Sequence, residues 1–204
     1  MELYTLPLDK MDILAHMLWA NYGARVGNKK LEKKKKPLIK LSWVTFFGVF
    51  PDLFAFTIPF CIGIFHLIRG GGSISSMRGH HALAGGFDIA SFLYQFSHSI
   101  VIWAVVFIVV WFLYKRPRFE LLGWALHIVI DIFSHSAEFY PTPFLFPISE
   151  FKFLYGISWS NIWYMIINYS LLLIVTLYFF SRKRKSNNNG TIGTPNTENR
   201  DQLN

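Results

Sequence analysis

A chain of 204 residues is enough for one domain. At 52% hydrophobic and 16% charged, with 21 Phe, 9 Tyr and 7 Trp, it is oilier than a soluble globular protein of this size. The net charge of +8 does not mark a nucleic-acid partner, because fifteen of the twenty basic residues fall in three clusters (Arg25 to Lys40, Lys115 to Arg118, Arg182 to Lys185), each beside an apolar segment. That is the positive-inside pattern of membrane proteins, and it excludes a groove built for phosphate backbone. The one cysteine, Cys61, rules out an intrachain disulfide and reads as core packing.

In chain order, residues 9–26 form a weak first segment carrying Asp12, His16 and Asn21. No signal peptide is read there, since the positive charge follows the apolar run instead of preceding it. Residues 41–66 are long enough to cross a membrane but are interrupted at Pro51-Asp52 and Pro59. The glycine-rich stretch over 67–90 reads as a loop folded over the outer ends. Residues 96–114 are the clearest conventional span, 119–137 a further one, and 162–180 the last. Between these two, 138–160 mixes prolines with aromatics and reads as a re-entrant or lid segment. The expected fold is an all-α integral membrane protein, a multi-helix bundle with four clear spans and a weaker fifth, N-terminal helix. Residues 1–185 would form this one domain, and the polar tail 186–204 would be disordered. With the basic clusters in the cytoplasm, the N-terminus lies outside and the C-terminus inside, in an inner or plasma membrane crossed several times.

The chemistry is concentrated in WALHIVIDIFSHS, where His127, Asp131 and His135 recur at i, i+4 and i+8. Residues four apart stack on one helix face, so the three form a stripe within an apolar stretch. Ionisable groups at such a place need a partner, a metal or a wet cavity. Asp52, next to a proline at membrane depth, is suited to holding a cation or activating water. Imidazole and carboxylate are ligands for zinc, the first choice of divalent ion here, or for manganese. Ser97-His98-Ser99 and Ser134-His135-Ser136 each flank an imidazole with small hydroxyls that can orient it. Topology brings His98, Asp131 and His135 to the outward half, with Asp52 and His127 nearer mid-depth and His16 one to two turns inside the first segment. His80 and His81 are adjacent and point apart on regular structure, His66 reads as interfacial, and Glu138 and Glu150 are candidate acids, bases or further ligands. The alternative for the buried stripe and Asp52 is a hydrogen-bonded polar network between helices, and for Glu138 and Glu150 ordinary loop polarity.

His16, Pro51-Asp52 and Ser97-His98-Ser99, followed by LHIVIDIFSHS and PTPFLFPIS, together resemble the bacterial and archaeal membrane-bound metal-dependent hydrolases, a family also described as LexA-binding and inner-membrane-associated. The resemblance covers roughly residues 10–180. It implies a multi-helix membrane protein with His16, Asp52, His98, His127, Asp131 and His135 at a metal site. It also implies a distant similarity in His/Asp usage to zinc-dependent phospholipase C and single-strand nucleases. The chain departs from the fuller family pattern after Pro51-Asp52, where the next histidine is His66.

The function expected is hydrolysis of a phosphoester or ester in a lipid or other amphipathic substrate, with Asp52 and Asp131 as the catalytic carboxylates. Two other classes use the same residues. A transporter would make them a proton or metal path, although inverted repeats are not evident. A non-catalytic membrane protein would make them a structural metal site.

Overall fold

The computed structural model describes residues 12–69, 81–137 and 141–191. Within them run seven α-helices: α1 (Ile13–Lys33), α2 (Leu41–Phe47), α3 (Phe50–Ile68), α4 (His81–Ser97), α5 (Ile100–Tyr114), α6 (Leu122–Ser134) and α7 (Ile162–Thr191). A 3-10 turn, Phe119–Leu121, precedes α6. Among the described residues there is no sheet, only an isolated antiparallel bridge between Ser136 and Tyr155.

The expectation of four clear spans is corrected. Among the described residues, one helical stretch, Ile162–Arg182, is by itself long and apolar enough to cross a membrane, and two bent pairs pass that test only when each pair is joined. Residues 119–137 do not form a span: α6 has 13 residues, about 20 Å of helix against a hydrocarbon core of about 30 Å. Residues 41–66 and 96–114 are each divided, with bends of 54° between α2 and α3 and 59° between α4 and α5.

Both bends have local causes. The first falls at Gly48-Val49, ahead of the proline expected to make it. Pro51 instead lies in the first turn of α3, where its missing N–H would have had no intrahelical acceptor. The second falls at His98-Ser99. Ser99 caps α5 by accepting from the backbone N–H groups of Val101 and Ile102 at 3.2 Å each. The carbonyl of Ser97, at the end of α4, accepts from Trp124 Nε1 at 2.6 Å. The break at His98-Ser99 therefore has its polar groups met, which is what allows a break in an apolar segment.

The stretch 67–90 is also corrected. Residues from His81 onward are helical, and α4 lies back along α3 around Ala55, Phe56, Ala90 and Tyr94. Two glycines inside an otherwise periodic apolar run weaken a helix without ending it. Residues 70–80, including His80, lie outside the described residues, as do Glu138, the side chains of His66 and His81, and the tail beyond Thr191. Cys61, expected in the core, is exposed on α3.

Two glycines set the spacing of the bundle. A Cβ on Gly123 would lie 2.2 Å from the Val44 carbonyl oxygen, and one on Gly48 would lie 2.7 Å from Ala20 Cβ. Helix α2 thus touches α6 on one side and α1 on the other at backbone distance. Along α7, α1 is held by polar rungs: Tyr169 Oη donates to Asp12 Oδ1 at 2.6 Å, Trp19 Nε1 donates to Asn168 Oδ1 at 2.8 Å, and Tyr22 Oη and Thr176 Oγ1 are 2.7 Å apart.

Candidate metal centre

Three parts of the fold converge on one buried cluster. Asp52 comes from the first turn of α3, His98 from the break between α4 and α5, and His127 and Asp131 from successive turns of α6. His98 is fully buried, and His127, Asp131 and Asp52 are at most 5% exposed. His127 Nε2 lies 3.1 Å from Asp131 Oδ2 and 3.6 Å from Asp52 Oδ1. His98 Nε2 lies 3.2 Å from Asp131 Oδ2 and 3.4 Å from Asp52 Oδ1. The two Nε2 atoms are 3.1 Å apart.

The outer nitrogens determine what the inner ones present. His127 Nδ1 lies 2.8 Å from the Gly48 carbonyl oxygen. A carbonyl only accepts, so Nδ1 carries a proton, and in the neutral ring Nε2 turns a lone pair inward. His98 Nδ1 lies 2.9 Å from Ser97 Oγ, and that hydroxyl donates onward to the Tyr94 carbonyl at 3.5 Å. His98 is thereby set in the same tautomer. Two lone pairs and two carboxylates facing one another in a buried space repel unless a cation sits between them. Asp131 Oδ2, close as it is to both imidazoles, is buried without a hydrogen bond.

These observations fit a divalent ion. The four ligand atoms all lie within 4.8 Å of one another, and the five separations above span 3.1–3.6 Å. Tetrahedral bonds of about 2.0–2.1 Å place ligand atoms about 3.3 Å apart. An imidazole whose far nitrogen donates to a carbonyl or hydroxyl is the usual support of a metal-ligating histidine.

The other two expected residues border this set. His16, on α1, reaches Asp131 Oδ1 with Nε2 at 3.1 Å, and its ring lies 4.0 Å from that of His127. His135 does not continue the α6 stripe. The helix ends at Ser134 and His135 is extended, because the following backbone turns away to pair Ser136 with Tyr155. A Cβ on Gly156 would meet the His135 carbonyl oxygen at 2.1 Å, so the turn closes only over a glycine. His135 Nδ1 is still 3.8 Å from Asp131 Oδ2, and it meets Tyr94 Oη and Thr142 Oγ1 at 3.3 Å each. All six sequence candidates are therefore gathered, with Asp131 central: one oxygen faces His16 and the other faces His98, His127 and His135. Glu150 is exposed and does not line the cleft.

A narrow cleft reaches the cluster between α1, α3, α4, α6 and α7. Asp52, Asp131, His16 and His135 line it with Tyr94 and Trp159, whereas His98 and His127 lie behind. Its free space of about 30 Å³ suits about two water molecules. Gly48, Tyr94 and Thr142 were not foreseen. Tyr94 carried a signal, being one helical turn before His98, where its ring now stacks at 3.7 Å. Gly48 and Thr142 had none, since a carbonyl and a loop hydroxyl become partners only by folding. No family model, curated protein or solved structure matches the chain.

Proposed function

We propose that this protein is a membrane-embedded, metal-dependent hydrolase acting on a phosphoester or ester of a lipid or other amphipathic molecule, with zinc as the preferred ion and manganese as the alternative. The observation that carries the reading is the inward convergence of His98 Nε2, His127 Nε2, Asp52 Oδ1 and Asp131 Oδ2, the last buried without a hydrogen bond, beside a cleft that admits water. The resemblance to membrane-bound metal-dependent hydrolases points the same way. Membrane embedding is supported by α7, whose apolar stretch is almost wholly exposed, and by the basic residues that end α1, α5 and α7.

A divalent ion held there supplies Lewis-acid polarisation of a phosphoryl or acyl oxygen and a lowered pKa for water. The chain's own groups divide the remaining work. Asp131 is engaged through both oxygens and acts as the fixed centre of the site. Asp52 meets both imidazoles through Oδ1 alone and lines the cleft, so its other oxygen is available to take a proton from water. The water oxygen then bonds to phosphorus or the carbonyl carbon, the bond to the alkoxy leaving group breaks, and the proton passes to that oxygen. His16 and His135 flank the approach.

Metal analysis of detergent-purified protein tests the site. Wild type is expected to retain a stoichiometric divalent ion, and His127→Ala and Asp131→Ala to lose most of it. Equal metal content in all three would end the proposal. Asp52→Asn, which removes charge with little change of shape, should suppress release of a head group or phosphate from a panel of phospholipids, lipid diphosphates and esters while the melting temperature is retained. A metal-loaded protein that moves ions across liposomes and cleaves nothing would establish transport instead.

A further inference from the structure

Beside the cleft, the non-helical segment 148–161 and the first turn of α7 display large apolar side chains to the outside. Ile148 is 77% exposed, Tyr155 88% and Trp163 69%, with Phe151, Leu154, Ile157 and Ile162 also exposed. The only charged residues in this stretch are Glu150 and Lys152. A continuous apolar display of this kind marks an interaction surface. We propose that it lies in the head-group and upper acyl region of the bilayer leaflet opposite the basic clusters, holding the mouth of the cleft at the level of lipid ester and phosphate groups.

The position follows from lengths and attachments. The apolar stretch of α7 runs over Ile162–Arg182, 21 residues or about 31 Å, the thickness of a hydrocarbon core. With Arg182 to Lys185 at one interface, Ile162 and Trp163 are at the other, where aromatic residues concentrate. Residues 148–161 enter α7 at this end, where Asn161 Oδ1 caps the helix by accepting from the Trp163 N–H at 2.9 Å. Irregular backbone facing lipid belongs at an interface, not in the hydrocarbon. The segment is also tied to the site helix: the N–H groups of Ile157 and Trp159 donate to the carbonyls of Phe133 and Ser134 at 3.0 and 2.9 Å. Trp159 turns inward to line the cleft while its neighbours face outward. An amphipathic substrate thus keeps its chains in the leaflet while its polar junction faces Asp52 and Asp131. Micellar or water-soluble esters lack this alignment.

The inference rests on the membrane reading above, and one experiment separates the two. Bimane is attached to Tyr155→Cys, Ile157→Cys and, as a reference within α7, Leu173→Cys, each in a Cys61→Ala background. The proteins are reconstituted in phosphatidylcholine vesicles containing phosphatidylglycerol. Shallow nitroxide lipids should quench positions 155 and 157 several-fold more than iodide does, and deep nitroxide lipids should quench position 173. If iodide quenches 155 and 157 while 173 remains lipid-quenched, the protein is embedded but the segment is not interfacial, and the proposal is overturned. If iodide also reaches 173, the membrane reading falls and takes this one with it.

Discussion

The α3–α4 hairpin and the α1–α7 seam both deliver residues to the same cleft, by opposite means. The hairpin brings Asp52 and His98 and is closed by apolar packing, with Ala55 and Ala90 fully buried between Phe56 and Tyr94. The seam brings His16 and is closed by side-chain hydrogen bonds, from Asp12 with Tyr169 and Asn168 to Tyr22 with Thr176. Small residues let helices approach closely and lock by contact. Polar rungs give register, but each contributes little net, because a separated helix finds other hydrogen-bond partners. Two of the four converging ligand atoms therefore come from the tightly packed region, and the flanking His16 from the more easily loosened one.

The largest effect expected is in the hairpin. Phe56→Ala removes a ring that is 4% exposed, packs among Ala55, Ala90 and Tyr94, and lines the cleft. A loss of about 3–5 kcal/mol is expected for such a truncation, read as a large fall in the thermal midpoint together with weaker metal retention. A midpoint like that of wild type would show that the hairpin is not held by packing.

A smaller effect is expected at the α2–α6 contact, outside both regions. Gly123→Ala places a methyl against the Val44 carbonyl and should cost about 1–3 kcal/mol by forcing α2 from α6. The same displacement draws the Gly48 carbonyl from His127 Nδ1, so metal affinity should fall although no ligand has changed. Loss of stability with unaltered metal affinity would separate the glycine contact from the site.

The smallest belongs to the seam. Tyr169→Phe deletes the donor to Asp12 and is expected to cost about 0.5–1.5 kcal/mol, the net range for a single intramolecular hydrogen bond. Metal content should hold, since His16 borders the four converging atoms and is not one of them. A loss comparable to Phe56→Ala would reverse the comparison.

Parts of this were legible beforehand. His127 and Asp131 lie on one helix face because four residues advance a helix by little more than a turn. Of the two serines expected to orient His98, Ser97 is its hydrogen-bond partner, whereas Ser99 instead caps the next helix. The interruption of 41–66 was read from proline, but the bend lies at Gly48-Val49, where the deciding factor is how closely α1 approaches. His135 was placed on the α6 stripe by spacing alone, and spacing does not report that the backbone leaves the helix to pair with Tyr155.

The sequence by itself determined the kinds of donor, their apolar setting and the helical nature of the chain, because composition and periodicity are local properties that one strip of residues carries. Only the tertiary structure decided where the apolar segments bend, that α4 folds back on α3, and that His16 meets Asp131. Those outcomes depend on which carbonyls and hydroxyls are supplied from distant parts of the chain. A break at His98 is tolerable only because Trp124 and Phe144 satisfy the backbone on either side of it, and His127 presents its inner nitrogen only because the Gly48 carbonyl holds the outer one.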